Sequence, residues 1–482
     1  MTWRLRAVPI ATTVALAALG AAPVVAQDPK PELAAAIDGA ADEYAAIARR
    51  IWSLAELGYM EEQSSALLRS RLEAAGFQVQ AGVAGMPTSF VASYGQGRPV
   101  IGILAEFDAL PGLSQDTVPE RKPLSPSGPG HACGHHLFGT ASVAAAIAVK
   151  DWLARTGRPG TVRVYGTPAE EGGGGKVYMV RAGLFADVDA VLHWHPASVN
   201  DASPSTSLAN MSGKFRFYGI SAHASAAPEQ GRSALDGVEA MNHMVNLMRE
   251  HIPQESRIHY VITAGGQAPN VVPDFAEVYY YARHPDPAVV AQLWERIVKA
   301  AEGAALGTGT RVEVEVLNGV YSLLPNEALA RVMDANLRRV GGVQYSAAER
   351  AFAEALAATL EAGGEVTLMK ASEIEPFRLA MGGASTDVGD VSWVVPTAGL
   401  NVATWVPGTP AHSWQAVAAG GTSIGMKGML VAAKTLAMTA ADLLLDPSHI
   451  EAARQEFERR RGAGFVYRPL IGEREPPLDY RR

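Results

Sequence analysis

The sequence predicts an α/β protein in which a smaller α+β domain is inserted into a doubly wound main domain. Over roughly the first 200 residues, short apolar runs alternate with helical patterns, which is typical of a parallel sheet covered by helices. After about residue 202 the order becomes strand, helix, two strands, helix and strand, which is the ferredoxin-like order. The helical pattern then resumes, so the chain of 482 residues is expected to return to its first domain.

The first predicted elements are helices, followed by a buried strand. Apolar residues recur at three- and four-residue spacing over 31–76, as they do on one face of a helix. The run 99–107 (PVIGILAEF) is almost continuously apolar, as expected for a strand that is buried on both faces. The next predicted elements are a helix over 140–153, a strand over 161–165 and a strand over 190–194.

The inserted domain is predicted over residues 206–318. Its predicted elements are a strand over 214–220, a helix over 233–251, strands over 258–263 and 277–283, a helix over 287–305 and a strand over 311–317. The main domain is therefore expected to comprise residues 27–205 and 319–482, with further helices near 326–362. The segment after Arg459, which contains several Arg and Pro residues, is expected to be peripheral.

Composition and charge argue against some classes of function. Hydrophobic residues make up 48% of the chain and charged residues 19%, which is typical of a folded globular enzyme. The net charge of −8, together with the scattered distribution of Lys and Arg, argues against binding to nucleic acid.

The N-terminus has the pattern of a secretory signal. Arg4 and Arg6 precede an uncharged, mostly apolar run over 8–25, and small residues lead up to Ala26. We therefore expect a signal peptide over residues 1–26, a periplasmic or secreted protein, and no stable membrane association after cleavage. The alternative is an uncleaved membrane anchor, since the run approaches the length of a membrane-spanning helix. No later segment is expected to span a bilayer.

The chain has a single cysteine, Cys133, which lies among histidines. It cannot form an intrachain disulfide, and a lone thiol in an exported protein needs shielding from oxidation. Residues 130–136 (GHACGHH) place this thiol beside three imidazoles, and thiolate and imidazole are preferred ligands of zinc-like ions. Metal coordination would shield the thiol, and so would burial as an inert side chain.

Three further motifs carry side chains that suit metal chemistry. Residues 168–175 (PAEEGGGG) contain the adjacent carboxylates Glu170 and Glu171, so that one can bind a cation while the other addresses water. Residues 193–196 (HWHP) place two histidines on one face of a predicted strand, and residues 408–414 (GTPAHSW) place one in a loop. Taken alone, each motif is also compatible with a structural role.

The positions of these residues relative to the predicted strands indicate that they meet. Loops at the carboxyl ends of parallel strands converge on one edge of an α/β sheet, where ligands bind. The residues at or just beyond predicted strands, or on the loops that follow, are Asp108, Cys133, His135, Glu170, Glu171 and His195. The sequence therefore predicts a metal site at this edge. A serine hydrolase has no Gly-x-Ser-x-Gly motif to support it, and the glycine run 172–175 lacks the ending of a phosphate loop.

These ordered motifs resemble those of the aminoacylase/carboxypeptidase-like co-catalytic metallopeptidases, and in particular the amidohydrolases among them. The resemblance covers about residues 40–445. Its motifs are AEFDALPGL (105–113), GHACGHHLFGTA (130–141), PAEEGGGGK (168–176), HASAAPEQGRSALDGVEAMN (223–242), PNVVPD (269–274), STDVGDVSWVVPT (385–397) and GTPAHSW (408–414). The family's inserted domain normally forms a dimer interface, so the resemblance implies a homodimer with this domain as a dimerisation and lid domain.

The resemblance also implies roles for individual residues. It implies two divalent cations, Zn²⁺, Mn²⁺ or Co²⁺, with five ligands: Cys133, His135, Glu171, His195 and His412. Glu170 matches the general base that accepts a proton from the metal-activated water, while Asp108 is expected to orient a ligand. His223 matches an imidazole that polarises the scissile carbonyl, often across a dimer. Asn270 and Arg283 match substrate-contacting positions.

The implied activity is cleavage of the amide bond of an N-acyl amino acid with a free carboxylate, such as an aromatic acyl-glutamate. His136 departs from the family pattern, in which Asp or Asn is common, so an extra ligand, a ligand-orienting partner and a neutral residue are all open for it. The alternative function is a catalytically silent periplasmic binding protein for a solute or metal on the same fold. Retention of Glu170 argues against it, since a binding protein needs no base. A redox role for Cys133 has no partner thiol.

Overall fold

The structure is a computed structural model that describes residues 1–3, 7, 28–360 and 367–481. Apart from residues 1–3 and 7, the predicted signal segment lies outside the described residues. Residues 361–366 lie outside them as well, and these include the end of the helical region predicted near 326–362.

The strands occur along the described chain from residue 78 to residue 403. They are β1 (Gln78–Ala81), β2 (Phe90–Gln96), β3 (Val100–Ala105), β4 (Gly160–Gly166), β5 (Ala190–Ala197), β6 (Ser205–Thr206), β7 (Ala209–Tyr218), β8 (Arg257–Ala264), β9 (Phe275–His284), β10 (Arg311–Val320), β11 (Ala380–Met381) and β12 (Thr397–Ala403). The short strands β6 and β11 pair with each other in parallel.

The α-helices begin before the first strand and continue after the last one. They are α1 (Lys30–Gly39), α2 (Ala41–Leu54), α3 (Glu62–Ala74), α4 (His135–Thr156), α5 (Gly175–Arg181), α6 (Ala234–Met248), α7 (Pro287–Thr308), α8 (Glu327–Val340), α9 (Ala347–Ala357), α10 (Val388–Ser392), α11 (Trp414–Gly420), α12 (Ser423–Leu445) and α13 (Pro447–Arg461). The helical region predicted over 31–76 is thus three helices, and α2 ends where Ala55 adopts a left-handed conformation.

The main sheet has the spatial order β1-β2-β4-β3-β5-β12. The pairs β4–β3, β3–β5 and β5–β12 are parallel, whereas β1–β2 and β2–β4 are antiparallel. β3 is buried at every position, which agrees with its continuous apolar run. α4 packs against β3, β4 and β5, and α12 packs against α4, β5 and β12. The predicted α/β class is confirmed.

The helices α4 and α12 are apolar on every side because they lie within the main core. They have 22 and 23 residues and are long and apolar enough to cross a membrane, so the expectation that no later segment has this character is wrong. In their most apolar stretches, 83% and 78% of the residues are buried inside the protein. Such helices occur in protein cores as well as in membranes, and burial here indicates core helices.

A second sheet has the spatial order β10-β7-β9-β8, and each neighbouring pair is antiparallel. α6 and α7 pack against this sheet and against each other. The resulting core contains Phe215, Phe217, Tyr280 and Trp294 and is separate from the core of the main sheet. The boundaries at 206 and 318, the doubly wound description and the lid and dimerisation roles stay predictions.

The segment 463–481 is not peripheral, which corrects the expectation from the sequence. Ile471 is buried in the main core. The Tyr467 hydroxyl donates to Asp390 Oδ1 at 2.6 Å, and that carboxyl is itself buried. The Arg and Pro composition of the segment suggested a solvated tail, but its aromatic and aliphatic side chains anchor it across the protein.

Candidate metal centre

The predicted site residues lie at the carboxyl ends of the parallel strands. Asp108 follows β3, and the turn that carries Glu170 and Glu171 follows β4. His195 lies near the end of β5, and His412 lies in the loop after β12. Because these four strands are parallel to one another, their carboxyl ends share one edge of the sheet. The structure therefore brings together side chains that are far apart in sequence.

Cys133 and His135 come from the turn that begins α4. Gly134 lies between them with a φ of +77°, which is a left-handed conformation that favours glycine. A Cβ at this position would lie only 2.6 Å from the side chain of Pro196. The glycine thus allows the turn to approach the end of β5, where His195 lies.

The five predicted ligands meet in two overlapping groups. The ligand atoms of Cys133, His135 and His195 lie within 4.8 Å of one another, and so do those of Cys133, Glu171 and His412. Cys133 Sγ lies 3.4 Å from His195 Nε2. His412 Nε2 lies 3.2 Å from Glu171 Oε1. The cluster thus offers two three-residue ligand groups that have the thiol in common.

The surroundings of His135 favour positive charge. Burial alone would lower the pKa of its imidazole, but Cys133, Asp108 and Glu106 hold that pKa well above its ordinary value. Its Nε2 atom is buried and, among the described residues, has no hydrogen-bond partner. Buried polar atoms are normally satisfied, and a mixed set of thiol, imidazole and carboxylate suits zinc-like ions. The residues therefore fit the predicted cations.

Asp108 joins two ligand-bearing segments. Its Oδ1 accepts a hydrogen bond from His135 Nδ1–H at 2.8 Å, which leaves the Nε2 lone pair for the cluster. Its Oδ2 accepts the Glu171 backbone N–H at 2.9 Å. These contacts are those expected of a residue that orients ligands.

Three buried charged residues beside the cluster were missed by the sequence analysis. Lys176 Nζ lies 2.7 Å from Glu106 Oε1 and 2.7 Å from Asp387 Oδ1, and all three side chains are buried. Glu106 Oε2 also lies 3.0 Å from His135 Nε2. Burial alone would lower the pKa of Lys176, but the two carboxylates hold it above its ordinary value. The position of Glu106, just after a predicted strand like Asp108, was the available signal.

The adjacent carboxyls Glu170 and Glu171 have opposite pKa shifts. Burial, together with the charges of Glu106 and Glu171, raises the pKa of Glu170 well above its ordinary value. Burial would also raise the pKa of Glu171, but the hydrogen bond from His412 and the nearby His135 hold it below its ordinary value. Two carboxyl groups whose pKa values are pushed apart suit different tasks. Glu171 suits an anionic ligand, and Glu170 suits a group that gains and loses a proton.

His136 does not join either ligand group. Its Nε2–H donates to the Gly420 carbonyl at 3.0 Å, and its ring lies 5.0 Å from the ring of His131. Burial lowers the pKa of His136 to about 3, so the ring is neutral. Among the three roles left open by the sequence, the structure supports a neutral side chain that packs between α4 and α11.

The three predicted substrate-contacting residues lie in different places. Arg283 lines a cavity that also contains Glu170 and His412. His223 and Asn270 instead lie next to each other on the surface, where the Ala224 N–H donates to the Asn270 carbonyl at 3.0 Å. Within one chain, the structure does not bring His223 or Asn270 to the ligand cluster.

Two cavities meet at the cluster. One of about 530 Å³ reaches Cys133 and His195 and is mostly apolar, with Phe138, Leu323 and Val388 in its wall. The other, of about 420 Å³, contains the arginines Arg283 and Arg481 and the amides of Asn210 and Asn318. Glu170, Glu171 and His412 line both cavities. A small molecule that spans both would cross the ligand cluster.

Comparison with known proteins identifies the family. The model of peptidase family M20/M25/M40 matches residues 103–372. The chain belongs to this family. It is 43% identical over 450 residues to one of the subunits of p-aminobenzoyl-glutamate hydrolase of Escherichia coli (strain K12), covering 88% of this chain and 94% of that protein. It is 32% identical over 445 residues to Xaa-Arg dipeptidase of Mus musculus, covering 89% and 92%.

A solved structure shares the fold. A Bacillus subtilis protein described as a dinuclear metal binding peptidase from the M20 family matches with a TM-score of 0.57 at 19% identity, over 85% of this chain and 99% of that one. The resemblance inferred from the sequence motifs is thereby confirmed at the level of the family. The chain is an enzyme, an amidohydrolase of this metallopeptidase family.

Proposed function

We propose that this enzyme cleaves the amide bond of small N-acyl amino acids that carry a free carboxylate, with two divalent cations as cofactors. The observation that carries the proposal is the meeting of Cys133, His135, Glu171, His195 and His412 in two ligand groups beside Glu170. The names of the relatives point to acyl-amino acids and dipeptides as the substrate class. Aromatic acyl-glutamates are the first substrates to test.

The five ligands would hold Zn²⁺, Mn²⁺ or Co²⁺, since each of these accepts mixed sulfur, nitrogen and oxygen ligation. When bound, such cations polarise a carbonyl and lower the pKa of bound water from about 15.7 toward about 7. Asp108 fixes the tautomer of His135 and anchors the Glu171 backbone, so it sets the directions from which two of the ligands approach.

Glu170 is the residue proposed to move the proton. It lies between the two cavities and belongs to no pair with a basic side chain among the described residues. Its raised pKa makes its carboxylate a better proton acceptor and lets it hold the proton until the leaving nitrogen takes it. General acid–base catalysis of this kind contributes about 10² to 10⁴-fold to the rate.

The proposal includes a second copy of the chain. β8 is an exposed edge strand with Tyr260, Val261 and Ile262 on its surface, and α6 exposes Leu247 beside Met244. An unpaired strand edge with apolar side chains is suited to pairing with a second copy. We propose a homodimer through the second sheet, in which His223 and Asn270 reach the substrate of the partner subunit. The Escherichia coli relative is named as one of several subunits, so an assembly with a different chain is a further possibility to test.

Export remains an expectation from the sequence pattern over residues 1–26. The proposed location is therefore the periplasm or the exterior. The alternative of a silent binding protein has no support from the relatives, which are named as hydrolases.

The test is a metal-dependent assay on a panel of N-acyl amino acids with wild type and Glu170→Gln. Wild type, stripped of metal and then reconstituted, is expected to hydrolyse at least one aromatic acyl-amino acid. Glu170→Gln is expected to bind metal normally and to lose at least about 10²-fold in kcat, because it lacks the proton acceptor. Glu73→Gln, at an exposed position of α3, is the matched control and is expected to retain full activity. Undiminished hydrolysis after complete chelation, or by Glu170→Gln, would contradict the proposed mechanism.

A further inference from the structure

The segment 463–481 runs along both cores and ends at the ligand cluster. Leu470 packs against the core of the second sheet, while its neighbour Ile471 is buried in the main core. Arg474 then donates to the Leu317 carbonyl in β10 at 2.6 Å. The segment is thus fixed at several points before it reaches the site.

The last described residues of this segment are anchored on Glu171. The Tyr480 hydroxyl donates to the Glu171 carbonyl at 3.0 Å, and Arg481 Nη2 donates to the same oxygen at 2.6 Å. The Tyr480 ring packs edge-on against Tyr59, with 5.7 Å between ring centroids. Gly58 makes room for this contact, because a Cβ there would lie 2.3 Å from the Tyr480 oxygen.

The cavity of about 420 Å³ contains two guanidinium groups that lack carboxylate partners. Among residues 28–360 and 367–481, neither Arg283 nor Arg481 forms a salt bridge, and the Nε atom of each is buried without a hydrogen-bond partner. The acidic residues in the same wall are engaged elsewhere, since Glu171 pairs with His412 and Asp387 with Lys176. Unpaired arginines in a cavity suit an anion, and a guanidinium binds a carboxylate with two parallel hydrogen bonds.

The adjoining cavity has the opposite character. It is lined by Phe138, Leu323 and Val388 and holds Cys133 and His195. Because the two cavities meet at Glu170 and the ligand cluster, an amide bond at the meeting point would leave an apolar group on one side and an anionic group on the other.

We propose that Arg481 is a specificity-determining residue that binds a carboxylate of the substrate's amino acid part together with Arg283, while the apolar cavity takes the acyl group. This inference rests on the proposed function and extends it. The enzyme accordingly prefers acyl-glutamate to acyl-arginine, because the two guanidinium groups attract a second carboxylate and repel a cationic side chain.

The kinetic test compares Arg481→Ala, Arg481→Lys and Arg459→Ala on N-benzoyl-glutamate and N-benzoyl-norleucine. Arg459 is an exposed residue of α13 and gives the matched loss of one positive charge. Arg481→Ala is expected to raise KM for N-benzoyl-glutamate by at least about tenfold with kcat within about twofold, since it removes a charge-assisted hydrogen bond. Arg481→Lys is expected to recover part of the loss, and Arg459→Ala to leave KM unchanged.

The two substrates tell which carboxylate is bound. A higher KM for N-benzoyl-glutamate alone assigns the side-chain carboxylate to Arg481, and a higher KM for both substrates assigns the α-carboxylate. An unchanged KM, or an equal fall in kcat for all three variants, overturns the inference.

A binding measurement separates this inference from the proposed function. Calorimetry with L-glutamate on the metal-loaded protein is expected to give at least about tenfold weaker binding for Arg481→Ala than for wild type or Arg459→Ala. If wild type hydrolyses none of the acyl-amino acids, the proposed function fails while this measurement still decides the role of Arg481. Equal binding by all variants, or no binding of L-glutamate by wild type, overturns the inference.

Discussion

At the scale of single residues, Lys176 illustrates how a buried charge is stabilised beside the candidate metal centre. Its ammonium group is shared between Glu106 and Asp387, and none of the three side chains is exposed by more than 1%. Asp387 also accepts the Lys176 backbone N–H at 2.9 Å. Burial of three charges is costly, so this arrangement depends on each partner being present. It also fixes Glu106, which in turn lies 3.0 Å from His135.

Lys176→Met is expected to lower the free energy of unfolding by about 3–5 kcal/mol, because it leaves two buried carboxylates without their cation. Urea unfolding of the metal-free protein measures this loss without interference from metal binding. Lys176→Met combined with Asp387→Asn is expected to recover part of the loss, since it removes one of the two stranded charges.

Lys150→Met serves as the control for the loss of a lysine. Lys150 pairs with Asp151 on the surface, and exposed pairs contribute at most about 1 kcal/mol. A destabilisation by Lys176→Met no larger than that of Lys150→Met would contradict the view that Lys176 neutralises the buried carboxylates.

Sequence reasoning found the residues that form motifs and missed those whose partners are distant. Cys133 and His135 stand two positions apart, so their joint role is visible in the sequence. Lys176 and Asp387 are 211 positions apart, and an isolated lysine after a glycine run is usually a solvated residue. Arg481 was missed for the same reason, because only the folded chain brings it to Glu171.

At the scale of elements, the turn after β4 shows how the fold supports a reactive carboxyl. Ala169 precedes Glu170 with a φ of +56°, a conformation that costs about 1–3 kcal/mol for residues other than glycine. Its N–H donates to Glu61 Oε1 at 2.8 Å, and the Thr88 hydroxyl donates to Glu61 Oε2 at 2.9 Å. Burial, with a contribution from Asp108, raises the pKa of Glu61 to about 8. Glu61 thus stabilises the turn from a helix N-terminus more than 100 residues away.

Elements were predictable where burial leaves a clear pattern. β3 is buried throughout, so its apolar run identified it. β1 and β2 lie at the antiparallel edge of the main sheet and have mostly half-buried or exposed residues, so they lack that signal. The segment 463–481 forms no regular element, and its contacts are made by single side chains such as Tyr467 and Tyr480.

The start of α9 provides a test of pH-dependent stability. Glu349 accepts the Ser346 N–H at 2.7 Å in a capping box, and it also accepts the Ser423 hydroxyl at 2.6 Å and a bond from Lys427. Burial would raise the pKa of Glu349, but these contacts, with the Lys427 hydrogen bond the largest, lower it from 4.5 to about 2. A carboxylate with a lowered pKa stabilises the fold above its unfolded-state pKa and loses this effect as pH falls.

Glu349→Gln is therefore expected to reduce the free energy of unfolding at pH 7 by at most about 3 kcal/mol, and by less after screening by solvent. The difference from wild type is expected to shrink as pH falls from about 4.5 to about 2. Urea unfolding across this range measures it, with the exposed Glu354→Gln of the same helix as the control. A difference that stays constant with pH would show that the carboxylate charge of Glu349 does not contribute.

At the scale of the whole molecule, the position of His223 connects the active site to the state of assembly. Its Nδ1 accepts the Ala226 N–H at 3.1 Å, and the residue is exposed beside Asn270, away from the ligand cluster. Two arrangements would bring it to a substrate. Either the second sheet moves relative to the main sheet within one chain, or His223 serves the site of a partner subunit in a homodimer.

Mixing two inactive variants distinguishes these arrangements. His223→Ala and Glu170→Gln are each expected to lose at least about 10²-fold in kcat. If His223 acts across a homodimer, random exchange of subunits makes half of the dimers mixed, and each mixed dimer has one site with both Glu170 and His223 intact. The mixture is then expected to regain about one quarter of wild-type activity. If His223 acts within its own chain, every site of every dimer retains one of the two defects, so the mixture stays inactive. Mixing each variant with Glu73→Gln controls for subunit exchange, and sedimentation of wild type checks that the protein is a dimer at the assay concentration. A monomer, or a mixture that regains nothing although exchange is complete, would contradict the proposed action across the interface.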